Sequence, residues 1–230
     1  MPARRVLAVL ATAAECDAVL PAGEPARVAL GPYRGTRIAG TTYLVSGIGP
    51  AAAAAATATA LSLGAYDLVV SLGICGGFAG AAEIGDVVLA TDVVAADLGA
   101  QSPDGFLGLA ELGWSEEARP APASLLLRGD EALRAAGLRV VTGPVLTVST
   151  ATGTDDRAAL LATRHGAVAE AMEGAGVAEA AAAHSVAMME VRAVSNLVGR
   201  RDLSAWRIPA ALATLRGAVA VLLGDGGAWC

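Results

Sequence analysis

Lysine is missing from this 230-residue chain, and all sixteen of its basic side chains are arginines. They are scattered. Only Arg4-Arg5 and Arg200-Arg201 are adjacent, against a formal net charge of −6. A nucleic-acid groove or an anionic membrane surface needs clustered basic charge, so neither is expected as a partner. A small anionic ligand held at one point stays open. Aromatic residues make up only 3% of the chain. A binding site must therefore be assembled from backbone groups, small side chains and a few polar ones. Charged residues are also scarce, at 17% against 55% hydrophobic. Disorder needs the opposite balance, so most of the chain should fold.

The cysteines Cys16, Cys75 and Cys230 are odd in number and share no CxxC or zinc-ligand spacing. A disulfide framework is not expected, and a reducing cytoplasm fits. Cys75 sits among glycines and is either a nucleophile or, as the simpler reading, a small buried apolar residue. The two histidines, His165 and His184, lie far apart and read as surface or packing residues. No metal site is visible, and no cofactor is called for. No run of about 18 strongly apolar residues is present, so no membrane span is expected. Arg4-Arg5 followed by Val6–Ala14 has the outline of a short leader with small residues at its end. The β-branched and long apolar residues run only from Val6 to Leu10, however, which favours a buried first strand. Cleavage there would also remove Glu15. The expectation is a cytoplasmic chain that keeps its N-terminus.

What is present is an alternation of apolar strands with alanine-rich helices. One domain, residues 1–230, is the default at this length. Strands are expected at Val6–Leu10, Val28–Tyr33, Thr36–Val45 (with Gly35 turning between these two), Asp67–Leu72, Val87–Val94, Val140–Val148 and Val186–Val194. The Gly-Pro step at 143–144 interrupts the sixth of these. Helices are expected from Pro50 to Gly64, at Ala123–Ala136, Asp155–Arg164, Val168–Ala183 and Ser204–Leu223. In the last, Pro209 marks either a kink or the true first turn. Residues 97–120 read as a long loop and the tail after Leu223 as loose. The pattern implies an α/β fold with a mainly parallel sheet covered by helices on both faces. In such sheets ligands bind beyond the carboxyl ends of strands. The polar punctuation falls there, at Glu15, Ser46–Gly49, Gly73–Gly77, Ser149–Gly153 and Ser195-Asn196.

Several of these positions can carry chemistry. Glu15 is either a solvated carboxylate or a general base at the mouth of the sheet. The turn SGIGP offers free backbone N–H groups around Gly49. It lacks the Gly-x-Gly-x-x-Gly and Gly-Lys-Ser/Thr patterns, which disfavours dinucleotide and nucleoside-triphosphate chemistry. Gly73, Gly76 and Gly77 of GICGG permit either a sharp turn or close approach of backbone to a ligand. Glu173, in AMEGAG, is either a solvent-facing helical residue or a clamp accepting two vicinal hydroxyls. Asn196 is either a cap or a donor–acceptor pair for the edge of a 6-oxopurine.

Taken together, GICGG with IGDVV (84–88), AMEGAG (171–176) and VRAVSN (191–196) resemble the nucleoside phosphorylase and nucleosidase superfamily. The likeness runs over nearly the whole chain. DLGAQSPDGF (97–106), LTVSTATGT (146–154) and SNLVG (195–199) bring it nearest to the futalosine hydrolase family. The resemblance implies a three-layer α/β/α sandwich around a twisted, partly barrel-like mixed sheet. It implies hydrolysis of the N-glycosidic bond of futalosine in the alternative menaquinone route, releasing hypoxanthine without metal or cofactor. It implies a nucleoside as the small-molecule partner and at least a homodimer. By resemblance Glu15 activates water, Met172 and Glu173 hold the ribose, and Asn196 stabilises the leaving base where adenine-releasing relatives carry Asp. Gly49, Cys75, Gly76 and Gly77 complete the binding set. Thr150 falls near the place of a stacking Phe in adenine-type relatives, and Phe106 is the candidate replacement. The competing readings are a 5′-methylthioadenosine/S-adenosylhomocysteine nucleosidase, a phosphorylase using Arg34 or Arg37, and a non-catalytic nucleoside sensor.

Overall fold

A computed structural model of the chain describes residues 4–114 and 118–230. In chain order its elements are β1 (Val6–Leu10), α1 (Ala13–Val19), β2 (Ala26–Leu30), β3 (Tyr33–Ile38), β4 (Thr41–Val45) and α2 (Pro50–Leu63). Then follow β5 (Leu68–Gly77), β6 (Val87–Ala95), β7 (Gly99–Ser102), β8 (Gly105–Gly108), β9 (Ala118–Pro120) and α3 (Ala123–Ala135). The last third holds β10 (Val140–Thr147), α4 (Asp155–His165), β11 (Ala169–Ala171), α5 (Gly174–Ala183), β12 (Ala187–Leu197) and α6 (Ile208–Leu223).

The main sheet has the order β11-β10-β6-β12-β5-β1-β4-β3-β2, with β9 added beside β6. β11 pairs with β10 on one side and antiparallel with β5 on the other. The strands β5, β12, β6, β10 and β11 thus close into a ring, which makes one half of the sheet barrel-like. The sheet is mixed rather than mainly parallel. β1 is parallel to β4 and β5, while β12 meets β6 antiparallel and β2, β3 and β4 form an antiparallel meander.

Strand β1 shows how the layers form. Its five residues are all buried. Val6, Ala8 and Leu10 pack with α1, α3 and α6 residues such as Val19, Leu133 and Leu215. Leu7 and Val9 pack with Ala53, Ala56 and Val177 of α2 and α5. Successive side chains of a strand face opposite ways, so an all-apolar strand demands a helical cover on each face. The result is a three-layer sandwich. Small residues let α2 and α5 lie against each other, and a Cβ on Gly176 would collide with the Pro50 carbonyl oxygen.

Several sequence expectations change. The turn expected at Gly35 lies elsewhere: Gly35 is inside β3, and the bends fall at Gly31-Pro32 and Ala39-Gly40. A Cβ on Gly35 would press Leu30 Cδ1 at 2.6 Å, so this glycine serves close packing. GICGG is no turn at a sheet edge but the continuation of β5, bonded to β12 throughout. β10 passes through Gly143-Pro144 with only a register shift. The expected loop over residues 97–120 contains the β7–β8 hairpin and β9; its residues 115–117 lie outside the described ones. The helix expected from Val168 is strand β11 followed by α5. Ring closure with β10 and β5 overrides the helical preference of AVAEAM. Pro209 marks the first turn of α6.

The tail is not loose. Trp229 is 1% exposed, and its indole Nε1 donates to the Leu125 carbonyl at 2.8 Å. Gly129 makes room for it, since a Cβ there would sit 2.7 Å from the ring. Trp229→Ala should therefore cost about 3–5 kcal/mol of stability. Urea unfolding of the two proteins reads this directly, and a loss below about 1 kcal/mol would return the tail to the surface.

Candidate active site

The carboxyl ends of β1, β5, β11 and β12 meet around a cavity of about 390 Å³. That is within the usual range for a small-molecule site. Glu15, Cys75, Gly76, Met172, Glu173 and Asn196 all line it. The structure therefore brings together most of the residues singled out from the sequence.

Glu15 is the third residue of α1 and is buried. It closes a capping box with Thr12: the Glu15 N–H donates to Thr12 Oγ1, and the Thr12 N–H returns to Oε2 at 3.1 Å. The Thr12 hydroxyl also donates to Oε2, at 2.9 Å. The Ile74 N–H donates to Oε1 at 3.1 Å. Each oxygen of an ionised carboxylate has two lone pairs. Oε2 is thus filled, and Oε1 keeps one lone pair.

Glu173 stands at the N-cap position of α5 without capping it. The Gly49 N–H reaches its Oε1 and Arg192 Nη1 its Oε2, both at 3.2 Å. One lone pair remains on each oxygen, which suits two adjacent hydroxyls. Gly49 (φ +92°) holds a conformation that L side chains rarely adopt, and it aims this N–H from the N-cap of α2 across to α5. Its contribution is this bond rather than a place on the cavity wall.

Arg192 was not singled out from the sequence. It is 1% exposed and lies among Glu190 (Nε–Oε1 2.8 Å), Glu173 and the Ser71 hydroxyl (3.0 Å from Nη2). Burial acts to lower its pKa, but Glu190, Glu173 and Glu15 overcome this and hold the guanidinium above its ordinary value. Burial pushes the Glu190 carboxyl up, against the pull of Arg192. Gly73 lets the guanidinium cross β5. A Cβ there would lie 2.5 Å from Nη1 and 2.8 Å from Glu15 Oε1. The signal was present in MMEVRAVSN, where two charged residues two apart share one face of an apolar strand.

Asn196 follows a bulge in β12 at Ser195. Its Nδ2 donates to the Leu197 carbonyl at 3.0 Å, and Ser195 Oγ stands 2.8 Å from its Oδ1. The Leu197 carbonyl only accepts, which fixes Nδ2 toward it, and the single Ser195 hydroxyl hydrogen is shared between Oδ1 and the Cys75 carbonyl at 3.1 Å. One Nδ2 hydrogen is left over. Cys75 is buried, and burial pushes its thiol up to about 12, which makes it a neutral wall residue.

Other expected residues fall elsewhere. Gly77 ends β5 beyond the cavity wall, covered by Ala82 and Val194. Thr150 is exposed, and its neighbours Ala151 and Thr152 line the cavity in its place. Phe106 is on the β7–β8 hairpin under Arg164, whose guanidinium lies 4.7 Å from the ring centroid. It is not a wall of the cavity. Trp206 and Ile208, just ahead of and at the start of α6, are among the large apolar residues that line the cavity, with Ile48, Ile74, Leu197 and Leu212. Arg34 and Arg37 are exposed on β3, away from the cavity. Among the described residues no group of acidic, Cys or His side chains could hold a metal, and no helix is long and apolar enough to cross a membrane.

Residues 5–222 match the family model of the phosphorylase superfamily. The futalosine hydrolase of Acidothermus cellulolyticus is 50% identical over 228 residues, covering 97% of this chain and 91% of that protein. The futalosine hydrolase of Streptomyces coelicolor is 53% identical over 189 residues, covering 80% of this chain and 78% of that protein. The solved structure of futalosine hydrolase from Helicobacter pylori superposes with a TM-score of 0.82 at 17% identity, covering 94% of this chain and 95% of that one, a likeness of fold. With this family model, these relatives and this cavity, the chain belongs to the phosphorylase superfamily and, within it, to the futalosine hydrolases.

Proposed function

We propose that this chain hydrolyses the N-glycosidic bond of futalosine, releasing hypoxanthine and the dehypoxanthinyl product. The observation that carries the reading is the set of unused hydrogen-bonding positions around one cavity. Glu15 Oε1 has a single lone pair left for a water. Glu173 has one on each oxygen for the ribose 2′- and 3′-hydroxyls, with Met172 beside it. Asn196 has one N–H for the departing base. As the glycosidic bond lengthens, positive charge builds on the ribose. Glu15 and Glu173 stabilise it in a partly dry site, where such fixed charges act strongly. Glu15 then takes the proton of the attacking water. Cys75 and Gly76 form the wall, and Gly49 orients Glu173.

A phosphorylase would need a cation free to hold phosphate beside the reacting carbon. Arg192, behind Glu173, is bonded to Glu190, Glu173 and Ser71, while Arg200 and Arg201 line the cavity, Arg201 lying over Trp206, so the phosphate dependence of base release is what separates the two readings. The same reading takes residues 1–230 as one cytoplasmic domain in a homodimer or larger homo-oligomer.

Incubation with futalosine should release hypoxanthine, read by chromatography, at the same rate with and without phosphate. A rate that depends on phosphate would sink the hydrolase reading.

Glu15→Gln keeps the capping geometry but sets an amide N–H against either Ile74 N–H or Thr12 N–H. It should fold with a loss of about 1–3 kcal/mol. Turnover should fall on the order of 10²-fold or more. Near-normal kcat would remove Glu15 from the mechanism.

Asn196→Asp places a carboxylate against the Leu197 carbonyl, so only its protonated form donates to the base. Asn does not titrate. Hypoxanthine release by the variant should therefore decline as pH rises through the new carboxyl's pKa, a limb the wild type lacks. Profiles of kcat/KM that coincide in shape would reduce Asn196 to a structural role.

A further inference from the structure

The cavity is lined by charges of both signs, and only the negative ones are paired. Glu15 is tied by Thr12 and Ile74, and Glu173 by Gly49 and Arg192. Glu170, also in the lining, accepts from the Thr152 N–H at 2.8 Å. The two cations of the lining, Arg200 and Arg201, are exposed. Among the described residues neither guanidinium has an ion pair or a hydrogen bond. Arg201 lies over the Trp206 ring, 5.5 Å from its centroid. The acidic residues that touch this segment are engaged by other groups. Asp155 Oδ1 accepts from the Arg200 backbone N–H at 2.8 Å. Asp202 Oδ1 accepts from the Ser204 N–H at 2.9 Å and from its hydroxyl at 2.7 Å.

Backbone bonds fix the segment that carries the two arginines. It leaves β12 at Leu197 and enters α6 at Ile208. The Val198 N–H donates to the Gly77 carbonyl and the Arg207 N–H to the Ser195 carbonyl, both at 2.8 Å. Gly199 has φ +146°, and a Cβ there would lie 2.6 Å from Asp155 Oδ1, the atom that holds the Arg200 N–H. Exposure tells which end of the cavity this is. Glu15, Cys75 and Glu173 are buried, whereas Ile48, Leu197 and Ile208 are 64%, 49% and 38% exposed. The cavity therefore opens between Ile48 and the 197–208 segment. Its solvent end presents two unpaired guanidinium groups among apolar side chains.

We propose that Arg200 and Arg201 are specificity-determining residues that bind a carboxylate carried by the nucleoside itself, on an apolar arm extending from C5′ of the ribose. This deepens the proposed function and rests on it. With the 2′- and 3′-hydroxyls on Glu173 and the base toward Asn196, C5′ is the remaining position from which a substituent can leave the sugar. The arm passes Ile48, Trp206 and Ile208, and its anion ends at the two guanidinium forks. A carboxylate matches such a planar fork through two parallel hydrogen bonds. Charge supplies a second reason. A chain of net charge −6 with three carboxylates in its cavity repels an anionic substrate unless cations stand at the opening. Free phosphate has the same chemistry, and the experiment distinguishes the two sources of the anion.

The probes are two 5′-ethers of carbocyclic inosine, whose ring oxygen is replaced by CH2 so that the bond to the base resists cleavage. One is the carboxybenzyl ether and the other is its methyl ester. Calorimetric titration of wild type should give a Kd for the acid about tenfold below that for the ester, the scale of two exposed charge-assisted contacts. Raising the salt from about 0.05 M to about 0.5 M should shrink that margin, because exposed charges are screened. Combining Arg200→Gln with Arg201→Gln should bring the two affinities together. Equal affinities in wild type, a margin indifferent to salt, or equal losses on acid and ester in the double variant would each overturn the inference. The wild-type comparison and its salt dependence stand even where the double variant fails to fold. Inorganic phosphate should compete with the acid without speeding release of hypoxanthine from futalosine. Phosphate that accelerates this release in wild type but not in the double variant would assign the arginines to a free co-substrate and defeat the proposal. Wild type that prefers the acid yet leaves futalosine intact would retain the arginines as the carboxylate site and sink the hydrolase reading instead.

Discussion

Taking a guanidinium out of water costs several kcal/mol unless its charge and its N–H groups are answered. Arg192 is answered on three sides, and much of the surrounding structure follows from that requirement. Glu190 must share its face of β12, Ser71 must offer a hydroxyl from β5, and Glu173 must arrive from the start of α5. Gly73 and Gly174 are the positions where a side chain would collide with Arg192 and Glu190. A third carboxylate, Glu15, lies close enough to add to the field. The cluster carries more carboxylates than guanidinium, so its cavity face is left electron-rich.

That imbalance connects packing to chemistry. A carboxylate that was fully bonded would be inert, and one that was unbonded would be costly to bury. Glu15, Glu173 and Glu170 avoid both extremes, because each is tied from behind by backbone or by Thr12, Arg192 or Thr152 and keeps lone pairs over the cavity. Their positions are fixed before a ligand binds. Positive charge developing on a sugar would meet oriented acceptors without reorganisation. The scarcity of aromatic residues is consistent with this design. The walls combine glycine, alanine and backbone with apolar side chains such as Ile48, Ile74, Trp206 and Leu212.

Much of this was legible in the chain. Val6–Leu10 read as a strand because its apolar run is short and two-sided. Pro50–Leu63 read as a helix because proline opens it and alanine carries it. Glu15, Met172, Glu173 and Asn196 could be picked out as polar groups at strand exits or in specific motifs, and the cavity gathers them. Other elements were not legible, for physical reasons. AVAEAM has helical composition, and only the partners β10 and β5 make Ala169–Ala171 a strand. GICGG looks like a turn because glycine permits one, whereas here glycine leaves room for Arg192, Glu15 and Val198. Phe106 is the nearest aromatic by motif, yet Arg164 and the hairpin keep it from the cavity.

The sequence by itself determined the layers and the inventory: which segments must be buried on two faces, which carry helices, and which polar residues interrupt them. Such features depend on periodicity and composition, which are local. Only the tertiary structure decided the partners. Glu170 and Asn196 are 26 residues apart in the chain, and nothing local relates them. Both are paired with Gly76, because β11 and β12 flank the same residue of β5. Arg192 became the centre of the site because strand pairing leaves its charge no path to water, so its neighbours had to supply the compensation.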